Sequence, residues 1–68
     1  MSSVIISDPE ILHGEPVFRG TRVPVKNLFE CIEAGDPLEE FLEGFPGVSR
    51  DQAVQAIEEA RTLLMATA

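Results

Sequence analysis

A single cysteine, Cys31, stands in the 68 residues, and one cysteine excludes both an internal disulfide and a cysteine cluster for zinc. Histidine is as scarce, with His13 alone. No spacing of histidine, cysteine and carboxylates resembles a nucleophilic triad or a metal site, so the sequence predicts a non-catalytic chain without catalytic residues, metal or cofactor. Basic side chains are also few, five against twelve acidic ones, for a formal net charge of −7. That balance opposes non-specific attraction to nucleic-acid phosphates and to anionic membranes. No apolar run approaches the roughly 20 residues that span a bilayer, and Met1–Asp8 lacks the basic start and apolar stretch of a secretory signal. The expected location is the cytoplasm.

What remains is one small domain. A chain of this length buries only roughly 60% of the surface its unfolded form exposes. With disulfides and metals set aside, oligomerisation is the remaining reinforcement, and a homodimer is expected. The charge is uneven along the chain. Residues 36 to 68 carry seven acids and two arginines, whereas 16 to 26 hold Arg19, Arg22 and Lys26 with no acid.

Val4, Ile5 and Ile6 form a β-prone run closed by Ser7-Asp8-Pro9. Ile11 and Leu12 read as an irregular or single-turn connection before His13-Gly14-Glu15-Pro16. Val17-Phe18 and Thr21-Arg22-Val23 flank Arg19-Gly20, where Gly20 supplies the positive φ of a tight turn, so a small hairpin is predicted. From Pro24 the period changes. Val25, Leu28, Phe29 and Ile32 fall on one face of a helix that Gly35 terminates. Asp36-Pro37-Leu38-Glu39 predicts a second helix with Asp36 as N-cap and Glu39 completing a capping box. Its apolar face is Leu38, Phe41, Leu42 and Phe45. Gly44-Phe45-Pro46-Gly47 breaks it, and Ser49-Arg50-Asp51-Gln52 opens a third helix with another capping box. Along that helix Ala53, Val54, Ile57, Ala60, Arg61 and Leu64 share one broad face.

The predicted fold is therefore mainly α, a three-helix helix-turn-helix bundle (24–68) preceded by a β-prone arm and hairpin (1–23), in a single domain spanning 1–68. Three amphipathic stripes joined by short connections must bury one another, and a glycine-containing turn between the last two helices matches the helix-turn-helix plan.

Candidate binding residues fall in two groups. Arg19, Thr21, Arg22 and Lys26 are presented by a turn and a helix start, with Val17 and Phe18 expected to supply apolar surface beside them. Arginine pairs bidentately with carboxylates or phosphates, so this patch suits an acidic pocket or a nucleic-acid backbone. The alternative is internal pairing of Arg22 with a helix carboxylate. The second group, Arg50, Gln52 and Gln55, is the face the third helix would offer to DNA. Its few cations predict weak, salt-sensitive binding at best, and Gln52 is also claimed by the capping box. Glu39, Glu40, Glu43, Glu58 and Glu59 read as solvated faces, His13 as a surface residue and Cys31 as half-buried packing.

The combination Asp8-Pro9, Gly14, Pro16, Gly20-Thr21-Arg22, Pro24, Gly35, Phe45-Pro46 and a Ser49-led helix closely resembles a small prokaryotic family known as domain of unknown function 433, over about residues 4 to 65. The resemblance implies a homeodomain-like helix-turn-helix fold and an antitoxin-like role, with a PIN-like ribonuclease toxin as partner. On that reading the N-terminal segment occludes the nuclease. Arg22 enters its acidic metal-binding site, Arg19 and Lys26 orient it, and the complex regulates its own operon. One departure is Ile57-Glu58-Glu59-Ala60-Arg61, where the family usually carries an aromatic. The alternatives are a homodimeric DNA-binding transcriptional regulator, paired through the Val4 to Ile6 edge or the 17 to 23 hairpin, and a structural adaptor docking through its helical acids.

Overall fold

In a computed structural model that describes residues 3–67, the β-prone run condenses to strand β1, Ile5–Ile6. It pairs antiparallel with β2, Val17–Phe18, with Ile5 opposite Phe18 and Ile6 opposite Val17. The link between them is a left-handed turn. Leu12, His13 and Gly14 take φ of 50°, 57° and 89° in succession, held by backbone bonds from Gly14 N–H to the Ile11 carbonyl and from Glu15 N–H to the Leu12 carbonyl, both 3.1 Å. The hairpin expected over 17–23 is present as a tight turn with little ladder. Gly20 sits at φ 80°, Thr21 N–H donates to the Phe18 carbonyl at 3.0 Å and Phe18 N–H to the Val23 carbonyl at 3.1 Å. Pairing then stops at an isolated bridge between Val17 and Pro24, because Pro24 has no N–H to continue it. β2 is thus flanked on both sides, by β1 and by the Val23-Pro24 segment.

Helix α1, Val25–Glu33, starts directly after the extended Pro24 (φ −64°, ψ 137°). It ends as the glycine predicts. Gly35 lies at φ 82°, its N–H donates to the Ile32 carbonyl at 3.0 Å, and Asp36 N–H donates to the Cys31 carbonyl at 3.1 Å. These two bonds form a Schellman closure that satisfies the orphan carbonyls of the last turn.

Asp36 is consequently not the N-cap of the second helix. Helix α2, Leu38–Gly44, has Pro37 in the capping position (φ −71°, ψ 154°) and no side-chain cap. Asp36 is already committed to closing α1, and a residue before proline is held extended. Glu39 therefore completes no capping box. Val48, 3% exposed, plugs the α2–α3 connection, and helix α3, Arg50–Thr67, follows. Here the capping box forms as expected. Gln52 N–H donates to Ser49 Oγ at 3.1 Å while Ser49 N–H donates to Gln52 Oε1 at 3.1 Å.

The core joins hairpin and helices. Phe18, Val25, Leu28, Phe41, Val48, Ala53 and Ala56 form one buried cluster, with the Phe18 and Phe41 rings 5.9 Å apart and tilted. The buried face of α3 differs from the expected one. Ala53 and Ala56 are buried, with Ile57 and Ala60 half-buried, whereas Val54 is 42% and Leu64 69% exposed and Arg61 pairs outward with Glu58 at 3.6 Å. Close helix approach favours the small Ala53 and Ala56, so the buried stripe is rotated from the expected face while still sharing Ala53, Ile57 and Ala60 with it. Among the described residues no helix is long and apolar enough to cross a membrane.

Candidate functional site

The basic patch is built on the Phe18–Val23 turn, and the structure divides its residues between holding the turn and facing solvent. Phe18, expected to lend apolar surface to a partner, is fully buried. Its ring fills the space between α1, α2 and α3, so it is a core residue and not a contact; Val17 beside it is equally buried. Thr21 is turned inward to the turn itself: its Oγ1 donates to the Phe18 carbonyl at 2.8 Å and accepts from Val23 N–H at 3.0 Å. This local closure fixes the backbone that carries Arg22.

Arg19 is exposed, but its Nε donates to the Ser3 carbonyl at 3.0 Å, and its own carbonyl accepts from Gln52 Nε2 at 3.0 Å. The turn is therefore tied to both the N-terminal arm and the start of α3. Lys26 pairs with Glu15 at 3.4 Å. Arg22 is exposed and, among the described residues, makes neither an ion pair nor a side-chain hydrogen bond. The internal pairing with a helix carboxylate does not form there. The arrangement sets a guanidinium with its five donors uncommitted beside two partly committed cations, on a backbone fixed by six hydrogen bonds.

The face that DNA reading would use is engaged elsewhere. The Arg50 guanidinium donates to the Glu39 carboxylate, whose pKa falls below its ordinary value because of that hydrogen bond, its own backbone N–H and the Arg50 charge. Gln52 has its amide spent on Ser49 and Arg19. Gln55 is exposed.

Glu59 is not a solvated acid of the outer face. It reaches the arm, accepting from Ser3 Oγ at 2.6 Å and from Val4 N–H at 3.2 Å. Sequence reasoning missed this latch, since its partners lie more than fifty positions apart and neither end carries a local signal. Cys31 is half-buried against the core; desolvation there, then the Asp36 and Glu40 carboxylates, push its thiol above the ordinary range. His13 is exposed in the left-handed turn. Among the described residues no three His, Cys, Asp or Glu side chains gather as a metal cage.

Three helices behind a short two-stranded antiparallel hairpin define the class of the fold. The chain belongs to the family described as protein of unknown function (DUF433), whose model matches residues 5–60. It is similar to the uncharacterized protein y4eO of Sinorhizobium fredii (strain NBRC 101917 / NGR234), 41% identical over 49 residues that make up 72% of this chain and 22% of that protein. A crystal structure of a DUF433 member protein from Anabaena variabilis ATCC 29413 superposes with a TM-score of 0.75 at 26% identity, over 90% of this chain and 60% of that one. The chain thus spans a minor part of the first relative and 60% of the second.

Proposed function

We propose that this domain is an antitoxin-like binding protein that neutralises a PIN-like ribonuclease by occlusion, with Arg22 as its inserted cation. The observation that carries the reading is the uncommitted guanidinium of Arg22 on a rigid turn. A nuclease that holds metal ions presents clustered carboxylates, and a guanidinium on a preorganised backbone pairs with them bidentately at little further ordering cost. Arg19 and Lys26 add positive potential around it and steer encounter. The acidic remainder of the chain, at −7 overall, keeps it from competing for the RNA. Operon autoregulation belongs to the complex on this reading, because α3 alone must release Arg50 from Glu39 and Gln52 from Ser49 and Arg19 before either can touch a base. The test is the dissociation constant of the isolated complex. Arg22→Ala is expected to cost about 2–5 kcal/mol of binding with the fold retained; an unchanged constant rejects the assignment.

A further inference from the structure

The turn that carries Arg22 holds one peptide plane in a fixed orientation. Gly20 lies at φ 80° while Arg19 before it has no positive φ, and Thr21 N–H closes on the Phe18 carbonyl at 3.0 Å. Together these features define a type II turn with Arg19 and Gly20 at its centre. The peptide joining the two is planar and trans, so its carbonyl and its N–H point in opposite directions. The carbonyl, that of Arg19, accepts from Gln52 Nε2 at 3.0 Å. The Gly20 N–H is therefore aimed away from the start of α3.

Around Gly20 the approach is open. The residue is exposed, a Cβ placed on it would meet nothing within 4 Å, and its N–H, like that of Arg22, has no acceptor among the described residues. A bare α-carbon lets a ligand come close to the backbone. Arg22 follows two residues later, no more than about 7 Å along the chain, with its guanidinium uncommitted. Gln52, for its part, does more than a helix cap requires. Ser49 N–H uses its Oε1, which a glutamate would supply equally; the amide nitrogen is spent on a carbonyl 33 positions away.

We infer that the Gly20 N–H is a second donor to the carboxylate that Arg22 takes, and that Gln52 is the positioning residue that keeps this donor aimed outward. The inference rests on reading Arg22 as a carboxylate-binding cation, but it does not need the partner to be a nuclease. An ionised carboxylate offers about four acceptor sites on its two oxygens, so a guanidinium bound along one edge leaves room for a backbone donor. Hydrogen bonds to a charged acceptor are the strong ones, and a peptide already held in place adds no ordering cost. The ligand is an Asp or Glu side chain of a protein. A nucleic acid would bring a further negative charge with every nucleotide against a chain of net charge −7, whereas a carboxylate brings its charge to the one acid-free stretch, between Arg19 and Lys26.

The experiment is an NMR titration of the full ¹⁵N-labelled chain with a capped tetra-aspartate peptide at low salt, with circular dichroism on each variant. The Gly20 amide is expected to exchange freely with solvent in the free chain, to shift saturably as peptide is added, and to exchange more slowly in the complex. Gln52→Met removes the donor to Arg19 without adding charge; it is expected to weaken the peptide about 10-fold and to abolish the Gly20 shift. Ser49→Ala loses the hydroxyl cap but keeps the Gln52 amide on Arg19, and is expected to bind as the wild type does. If Gln52→Met loses helicity, the shift and exchange of Gly20 in the wild type still decide the matter. Peptide binding that Arg22→Ala leaves intact rejects the reading of Arg22 itself. Binding that Arg22→Ala weakens while the Gly20 amide stays put, or while Gln52→Met matches the wild type, overturns the inference and leaves Arg22 in its role. No binding at millimolar peptide, or a short RNA moving these amides where the peptide does not, overturns both.

Discussion

Gln52 fastens the Arg19 turn to the start of α3. Its Nε2 donates to the Arg19 carbonyl at 3.0 Å while its Oε1 accepts from Ser49 N–H at 3.1 Å. One side chain thus caps a helix and anchors a turn 33 positions away. The two roles separate chemically. Gln52→Glu keeps the acceptor for Ser49 and loses the donor to Arg19; Gln52→Ala loses both. Urea denaturation is expected to show Gln52→Ala destabilised by about 1–2 kcal/mol and Gln52→Glu by a smaller amount. Equal losses would mean that the bond to Arg19 carries no stability.

Phe18 and Arg22 sit four residues apart and are expected to respond in opposite ways. Removing the buried Phe18 ring leaves a core cavity worth about 3–5 kcal/mol, most of the roughly 3–10 kcal/mol that a domain of this length holds. Phe18→Ala is therefore expected to unfold the chain or leave it barely folded. Arg22→Ala is expected within about 0.5 kcal/mol of wild type. Thermal melts of the two variants check both statements.

These contrasts show where the sequence was legible. The Ser49–Gln52 capping box, the Gly35 terminus and the Gly20 turn are local, each specified by two to four neighbouring residues, and each forms. Two local signals overlap on Asp36, the end of α1 and the start of α2, and the helix end wins. Phe18 reads as surface because Arg19 and Arg22 lie beside it, while its core partners, Leu28, Phe41 and Ala53, are distant in sequence. The same holds for the latch from Glu59 to the arm, which only packing reveals.

The Arg50–Glu39 pair makes stability depend on acidity. Glu39 has its folded pKa lowered below 4.5 by the Arg50 hydrogen bond, so its contribution is present above the unfolded value and is lost as pH falls through the folded one. Relative to Arg50→Ala, the wild type is expected to lose its advantage below about pH 4.5 and to lose part of it in high salt at neutral pH. A pH series of denaturation midpoints, with the Glu39 carboxyl followed by NMR, tests the sign.

His13 holds φ at 57°, a left-handed conformation that costs a residue bearing Cβ about 1 kcal/mol. His13→Gly relieves it. The variant is expected to be more stable by about 0.5–1 kcal/mol, as read by the denaturation midpoint; a loss of stability would mean that the imidazole makes contacts outweighing the backbone strain.

On the proposed function, the Arg22 turn binds and blocks a ribonuclease. The most direct measurement is purification of tagged wild-type and Arg22→Ala chains from the native host, with light scattering for complex mass and RNA cleavage assayed on the recovered partner. The expected result is a stoichiometric small nuclease held and silenced by the wild type and released, active, by Arg22→Ala. Recovery of the wild-type chain without any such protein, or of a nuclease whose cleavage the chain does not suppress, contradicts the claim.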